Sequence, residues 1–272
     1  MDEADCRHLT VNRHVFRRVN AMIESTFCFL PGVGAATERR FWAQGLRTWT
    51  EFLSARSINN IGRGRKALYD VQVQQAVEQY AAGNARYFGV VLPSREQWRL
   101  YEWVRPRTAY LDIETDRFGR ITVVGRYGDG QMTSFIRGES LNACRLAAAL
   151  RHYDLLVTFC GTTFDLPMLL AQYPNLPLDQ PHLDLCLLGR RLGYSGGLKA
   201  IERQFGICRP QELNGMNGDE AVRCWNRWRY GRDLQARGRL LAYNQADCVN
   251  LERLAQIFYG LMVQSTKPSS TA

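Results

Sequence analysis

An apolar run from Thr108 to Ile113 carries two carboxylates near its end, Asp112 and Glu114. A short apolar run of this kind reads as a buried strand. Side chains alternate across a strand, so residues i and i+2 lie on the same side and both carboxylates point one way. Two further acids have comparable settings. Asp165 follows a second apolar run, Leu155 to Phe159, after a short Gly-Thr-Thr turn. Asp247 lies four residues after Tyr243 on a predicted helix, which places that pair on one face. Carboxylates gathered from three separated segments repel one another unless a cation lies between them. Hard oxygen ligands suit Mg²⁺ or Mn²⁺, so the pattern predicts a metal-dependent site.

The order of elements around these acids sets the expected fold class. Strands are predicted at 108–113, 120–127 and 131–137, with a Gly-Asp-Gly turn at 128–130, which is the signature of an antiparallel meander. A helix over 141–152, a strand over 154–160, a helix after Asp165 and a short strand at 181–185 follow. Helical patterns then occupy 186–193, 198–205, 219–230 and 234–260. Strands first in series and then alternating with helices imply an α/β fold with a mixed sheet flanked by helices.

Upstream, Val15, Val19, Met22 and Ile23 have helical spacing within 11–25. Leu30-Pro31-Gly32-Val33-Gly34 predicts a tight turn between two helices, and Gly45 marks a second turn. Residues 56–66 read as a basic loop and 67–82 as a helix. The stretch 86–105 closes this region, and Pro106 marks a boundary. The expected organisation is a small, mostly helical domain over 1–105, an α/β domain over 106–262 and a polar tail over 263–272.

Composition narrows the function. The formal charge is +9, and residues 1–107 hold 16 Lys and Arg against 10 Asp and Glu. Excess positive charge there fits contact with phosphate backbones, although 32 of the 35 cations are Arg, a bias that base composition alone can produce. The eight cysteines include no CxxC pair and no zinc-ligand spacing with the four histidines; Cys144, Cys160 and Cys186 lie in apolar segments and read as small buried hydrophobes. The start of the chain lacks a cationic stretch followed by an apolar one, and no run approaches the ~18 apolar residues of a membrane span. A cytoplasmic protein with no membrane partner is expected.

With these residues in view, the chain resembles a known group. Asp112-Ile113-Glu114-Thr115, Phe164-Asp165 and Tyr243-x-x-x-Asp247 look like the three exonuclease motifs of the DEDD superfamily, in the variant with Tyr in the third motif. The stretches VTFCGTTFDLPML, PHLDLCLLGRRLGYSGGLKAIE and LLAYNQADCVNLERL resemble predicted ribonuclease H-like exonucleases related to the proofreading domain of family-B DNA polymerases. The resemblance covers about 108–260. It implies a ribonuclease H-like fold and 3′–5′ exonuclease activity by a two-metal mechanism, with two Mg²⁺ or Mn²⁺ ions. By position, it implies that Asp112 bridges both ions, that Glu114 and Asp247 complete the water-activating site, and that Asp165 serves the second ion through water. Tyr243 would hold the attacking water, since a phenol with a pKa near ~10 is a poor base at neutral pH.

Two departures stand out. Relatives usually carry Asn where this chain has Cys160, and a thiol is the weaker hydrogen-bonding group. Asp116 and Arg117 replace the Thr-Gly often seen after the first motif. Asp184 and Lys199 also match recurrent residues. The first has an alternative reading as a helix N-cap, and the second as a cation at a helix start, so neither is placed in the core site.

The turn within 26–55, LPGVGAATERRFWAQGLRTWTEFL, resembles a helix-hairpin-helix element, in which the hairpin backbone near Gly32 and Gly34 faces a nucleic-acid phosphate. Trp42, Trp49, Trp98 and Trp103 could stack on bases, but large aromatics at helical spacing are more often core, and most of these read as core. The expected partner is nucleic acid, DNA rather than RNA. Two alternatives stand beside the exonuclease: a structure-selective endonuclease on the same fold, and a non-catalytic nucleic-acid-binding module that recruits a repair or replication partner.

Overall fold

A computed structural model describes residues 22–266. Most of the helix expected at 11–25 lies outside the described residues; its last part, Met22–Ser25, is a single 3₁₀ turn. Helices α1 (Ala35–Ala43), α2 (Trp49–Ser54), α3 (Arg63–Ala81), α4 (Ala85–Val91) and α5 (Tyr101–Val104) follow. The loop expected over 56–66 is shorter than the sequence implies. Gly62 caps α3, and Lys66 is already in its first turns, buried over the Phe52 ring and paired with Asp70.

The α/β part begins at β1 (Thr108–Thr115), followed by β2 (Ile121–Gly128), β3 (Gln131–Ile136), α6 (Ala143–Leu150), β4 (Leu155–Thr158), α7 (Asp165–Gln172), β5 (His182–Asp184), α8 (Leu185–Arg191), α9 (Leu198–Gln204), α10 (Gly218–Gly231) and α11 (Leu234–Thr266). The expected ribonuclease H-like α/β fold is present: a five-stranded mixed sheet ordered β3-β2-β1-β4-β5. Strand β1 lies at its centre, antiparallel to β2 and parallel to β4. Helix α11 continues past the expected end at residue 260, because Met262 is still packed in the core.

The two faces of the sheet are divided by the alternation of β1. Ile113 packs with Val124, Leu146 of α6 and Leu169 of α7 on one side. Asp112 and Glu114 face the other side, where α11 crosses. That crossing is close because Asp112 is paired with Gly125 on β2. A Cβ built on Gly125 would lie 2.2 Å from Asn244 Oδ1 and 2.6 Å from Cys248 Sγ, both on α11. Glycine is required there by space, not by backbone angle.

One apolar core runs from the N-terminal helices into the sheet domain, joining Phe27, Phe41, Phe52 and Trp98 with Tyr110, Val157, Leu188 and Phe258. Trp42, Trp49 and Trp98 are buried and Trp103 is half-buried, so these rings belong to the core as expected. Within it, Glu38 accepts from Thr26 Oγ1 (2.8 Å) and the Phe27 N–H (2.7 Å), and its other oxygen meets Arg99 Nη2 at 2.8 Å. Arg99 also donates to Glu96 at 2.8 Å. Burial opposes the Arg99 charge, but the two carboxylates outweigh burial and raise its pKa. Buried charges persist when each is paired in this way.

The close approach at Gly125 generates a testable expectation. Gly125→Val should lower unfolding free energy by about 1–3 kcal/mol, measured by urea denaturation. The conservative Val73→Ile, remote from α11, serves as a control for generic core enlargement.

Candidate metal centre

Three of the predicted carboxylates converge. One ligand oxygen from each of Asp112, Glu114 and Asp247 lies within 4.8 Å of the others. Glu114 and Asp247 are buried and Asp112 is half-buried. The alternation of β1 supplies the first two, and α11 supplies the third. Asn244, one turn before Asp247, fixes the geometry: its Nδ2 donates to the Asp112 carbonyl at 3.1 Å and to Asp112 Oδ2 at 2.8 Å. Sequence reading missed Asn244, although its position beside Tyr243 in the third motif was the available signal.

Asp165 is buried next to this group but not within it. It opens α7, and its Oδ1 accepts the Ile113 N–H at 3.1 Å, which ties the helix start to β1. Tyr243 lies on α11 under two cations: Lys199 Nζ is 4.5 Å and the Arg209 guanidinium carbon 5.7 Å from its ring centre. Lys199 also donates to the Met216 carbonyl. Arg209 pairs with Asp247 and Glu202, and neither Arg209 nor Glu202 was singled out from the sequence.

Asp184 is the N-cap of α8, accepting from the Cys186 N–H at 3.0 Å. The same carboxylate also takes the Cys160 N–H (2.9 Å) and the Thr162 N–H (3.0 Å). It therefore holds the loop leading to Asp165 as well as capping a helix. Cys160 has φ of 62°, in the left-handed region. Asn tolerates that region far better than Cys does. Asp116 closes the β1–β2 turn by accepting from the Phe118 and Arg120 N–H groups and from Arg137 Nη2 at 2.9 Å. Burial works against its charge, but these donors prevail and lower its pKa. Of the cysteines expected to be buried, Cys186 is buried, Cys160 is half-buried and Cys144 is exposed on the outer side of α6.

Gly32 and Gly34 lie on a different surface. Pro31 and Gly32 (φ 76°) form the centre of a turn closed by the Val33 N–H on the Leu30 carbonyl at 3.0 Å, and Gly34 is the N-cap of α1. A positive φ at this third turn position demands glycine. The pocket that Gly32 lines is shared with Thr37, Arg40, Asn59 and Arg65 and contains none of the carboxylates.

The electrostatics of the acids follow from burial and crowding. Glu114 is pushed up to about 8, by burial first and then by Asp247 and Asp165. Asp165 rises to about 7 through burial, despite two backbone N–H donors. Asp112 is raised well above the carboxylate range by burial and by Asp247, Glu114 and Asp165. Asp247 is raised by burial, with Arg209 acting against the rise. A cation bound among them would favour their charged forms and oppose this rise. The donors are all carboxylate oxygens, and such a set fits a hard divalent cation.

A family model of the RNase_H superfamily matches residues 109–259, more than half of the chain. The chain belongs to the RNase_H superfamily. No curated protein matches it. Membership of the RNase_H superfamily and the acidic cluster together fit a metal-dependent nuclease, with a nucleic-acid substrate and a divalent cation. No helix among the described residues is long and apolar enough to cross a membrane.

Two outcomes are expected. For groups with raised carboxylate pKa values, the unfolded state ionises first as pH rises, so stability is lost between the unfolded and folded values. In chelator, thermal stability should therefore fall from about pH 4.5 to pH 8, the range spanned by Glu114. Millimolar Mn²⁺ at pH 8 should recover it, as seen by calorimetry. Separately, Cys160→Asn should raise stability by about 1 kcal/mol through relief of the left-handed backbone, measured by denaturant titration.

Proposed function

We propose that this protein is a divalent-metal-dependent 3′–5′ exonuclease of the DEDD type with Tyr in the third motif. The observation that carries the proposal is the convergence of Asp112, Glu114 and Asp247, with Tyr243 one turn before Asp247 on α11. Asp165 stands beside them as the fourth acid of that pattern. Divalent ions held there would supply an activated water and charge stabilisation for the leaving oxygen.

The residues divide the remaining work. Asp112, Glu114 and Asp247 would hold one cation, and Asp165 would serve a second through water. Burial, reinforced by Asp247, Glu114 and Asp112, keeps Tyr243 protonated. Its hydroxyl would therefore orient an attacking water by hydrogen bonding rather than remove a proton. Lys199 adds positive charge on the same side, where a scissile phosphate would approach.

The region over 1–105 supplies a second contact to nucleic acid in this reading. The turn at Gly32 and Gly34 would present its backbone N–H groups in the manner of a helix-hairpin-helix element, and Arg40 and Arg65, which line the pocket beside Gly32, make no ion pair among the described residues. DNA is the favoured substrate because such hairpins follow duplex phosphates. Residues 106–262 then form the exonuclease domain.

The test is cleavage of 5′-labelled single- and double-stranded DNA and RNA with Mg²⁺ or Mn²⁺. Stepwise shortening from the 3′ end supports the proposal, whereas internal cuts in circular DNA would assign an endonuclease on the same fold. Binding without cleavage would assign the non-catalytic module. Asp112→Asn should reduce cleavage by about a thousandfold or more while its circular dichroism spectrum stays that of the wild type.

A further inference from the structure

The loop between α9 and α10 brings one more side chain onto the carboxylates. Arg209 Nη2 donates to Asp247 Oδ1. The same guanidinium is gripped from behind by Glu202 of α9, with Nε on Oε2 at 2.6 Å and Nη2 on Oε1 at 2.8 Å. Glu202 is 1% exposed and in turn accepts from Asn250 Nδ2 at 3.0 Å. Asn250 lies one turn beyond Asp247 on α11. A closed ring of contacts thus runs from α11 through Glu202 and Arg209 back to α11.

We propose that Arg209 is the positioning residue of the metal centre, orienting Asp247 for the cation while Glu202 cancels its charge. The inference rests on the metal reading given above. The terminal torsion of an Asp carboxylate is broad, so packing of the Asp247 backbone alone leaves its oxygens free to turn. The planar guanidinium takes one oxygen and leaves the other for an ion. A fork held at two points by Glu202 gives a fixed direction, which the rotating ammonium of a lysine would not. The charge arrangement matters as much as the geometry. An unaccompanied guanidinium beside a divalent site would repel the ion, but the Glu202–Arg209 pair is neutral overall. Asp247 is therefore aligned without added repulsion. Outer partners of this kind typically alter metal affinity by about 10–100-fold when removed.

The measurement is Mn²⁺ affinity of the full-length chain, by calorimetry and by electron paramagnetic resonance of free Mn²⁺, well below the unfolding temperature. Arg209→Gln should weaken binding by about 10–100-fold and Arg209→Lys by about 10-fold. Glu202→Gln, which leaves the guanidinium charge uncancelled, should also weaken it. If Arg209→Gln fails to fold, the lysine variant carries the test. Unchanged Mn²⁺ affinity with a lowered unfolding temperature would assign Arg209 a structural role only. Tighter binding would make it a competitor of the ion, and either result overturns the inference while the metal reading stands. A wild-type chain that binds no Mn²⁺ overturns the metal reading and this inference with it.

Discussion

The arrangement depends on how closely α11 crosses the strand pair β1–β2. Three carboxylates come from two elements, and only that crossing brings Asp247 within reach of Asp112 and Glu114. Two features allow it. Gly125 presents no side chain where Asn244 and Cys248 pass, and Asn244 uses the space to donate to both the backbone and the carboxylate of Asp112. The approach is held in place further along the helix, where Leu251, Leu254 and Phe258 are fully packed in the main core. Apolar burial at one end of α11 thus opposes the mutual repulsion of acids at the other.

The supporting contacts share a common logic. Three of the four acids are attached to a second element through backbone or side-chain donors. Asp165 receives the Ile113 N–H, Asp112 receives Asn244, and Asp247 receives Arg209. Asp184 gathers the loop before Asp165 by taking two of its N–H groups while capping α8. Donors to a carboxylate favour its charged form, and burial favours the neutral one. Here burial prevails at Asp112, Glu114, Asp165 and Asp247 and raises all four. At Asp116 the donors prevail, and that acid serves the β1–β2 turn.

The N-terminal helices are not a loosely attached appendage. Phe27, Phe41 and Trp98 share one apolar core with strands and helices of the sheet domain, and the buried Glu38–Arg99–Glu96 group ties the turn near residue 30 to the segment entering β1. Arg191 of α8 reaches Glu96 from the other side at 3.1 Å. A ligand touching both parts would therefore meet two surfaces in a fixed relation. This continuity was not legible in the sequence, because apolar spacing tells which face of a helix is buried but not against what.

What the sequence determined by itself was the ordering. The meander of three strands, the later strands alternating with helices, and the placement of Asp112 and Glu114 on one side of β1 all follow from local periodicity, which is written in neighbouring residues. Local chemistry also revealed the Pro31-Gly32 turn and the Asp184 cap. Tertiary structure decided which distant groups meet. Asn244, Arg209 and Glu202 carry no local mark of their role, since a hydrogen bond between α11 and β1, or between a loop and α11, depends on packing directions that no short window of sequence encodes. The same reason explains the extra turns of α3 and α11: Lys66 and Met262 are helical because a core lies beneath them, and that core is assembled from residues far away in the chain.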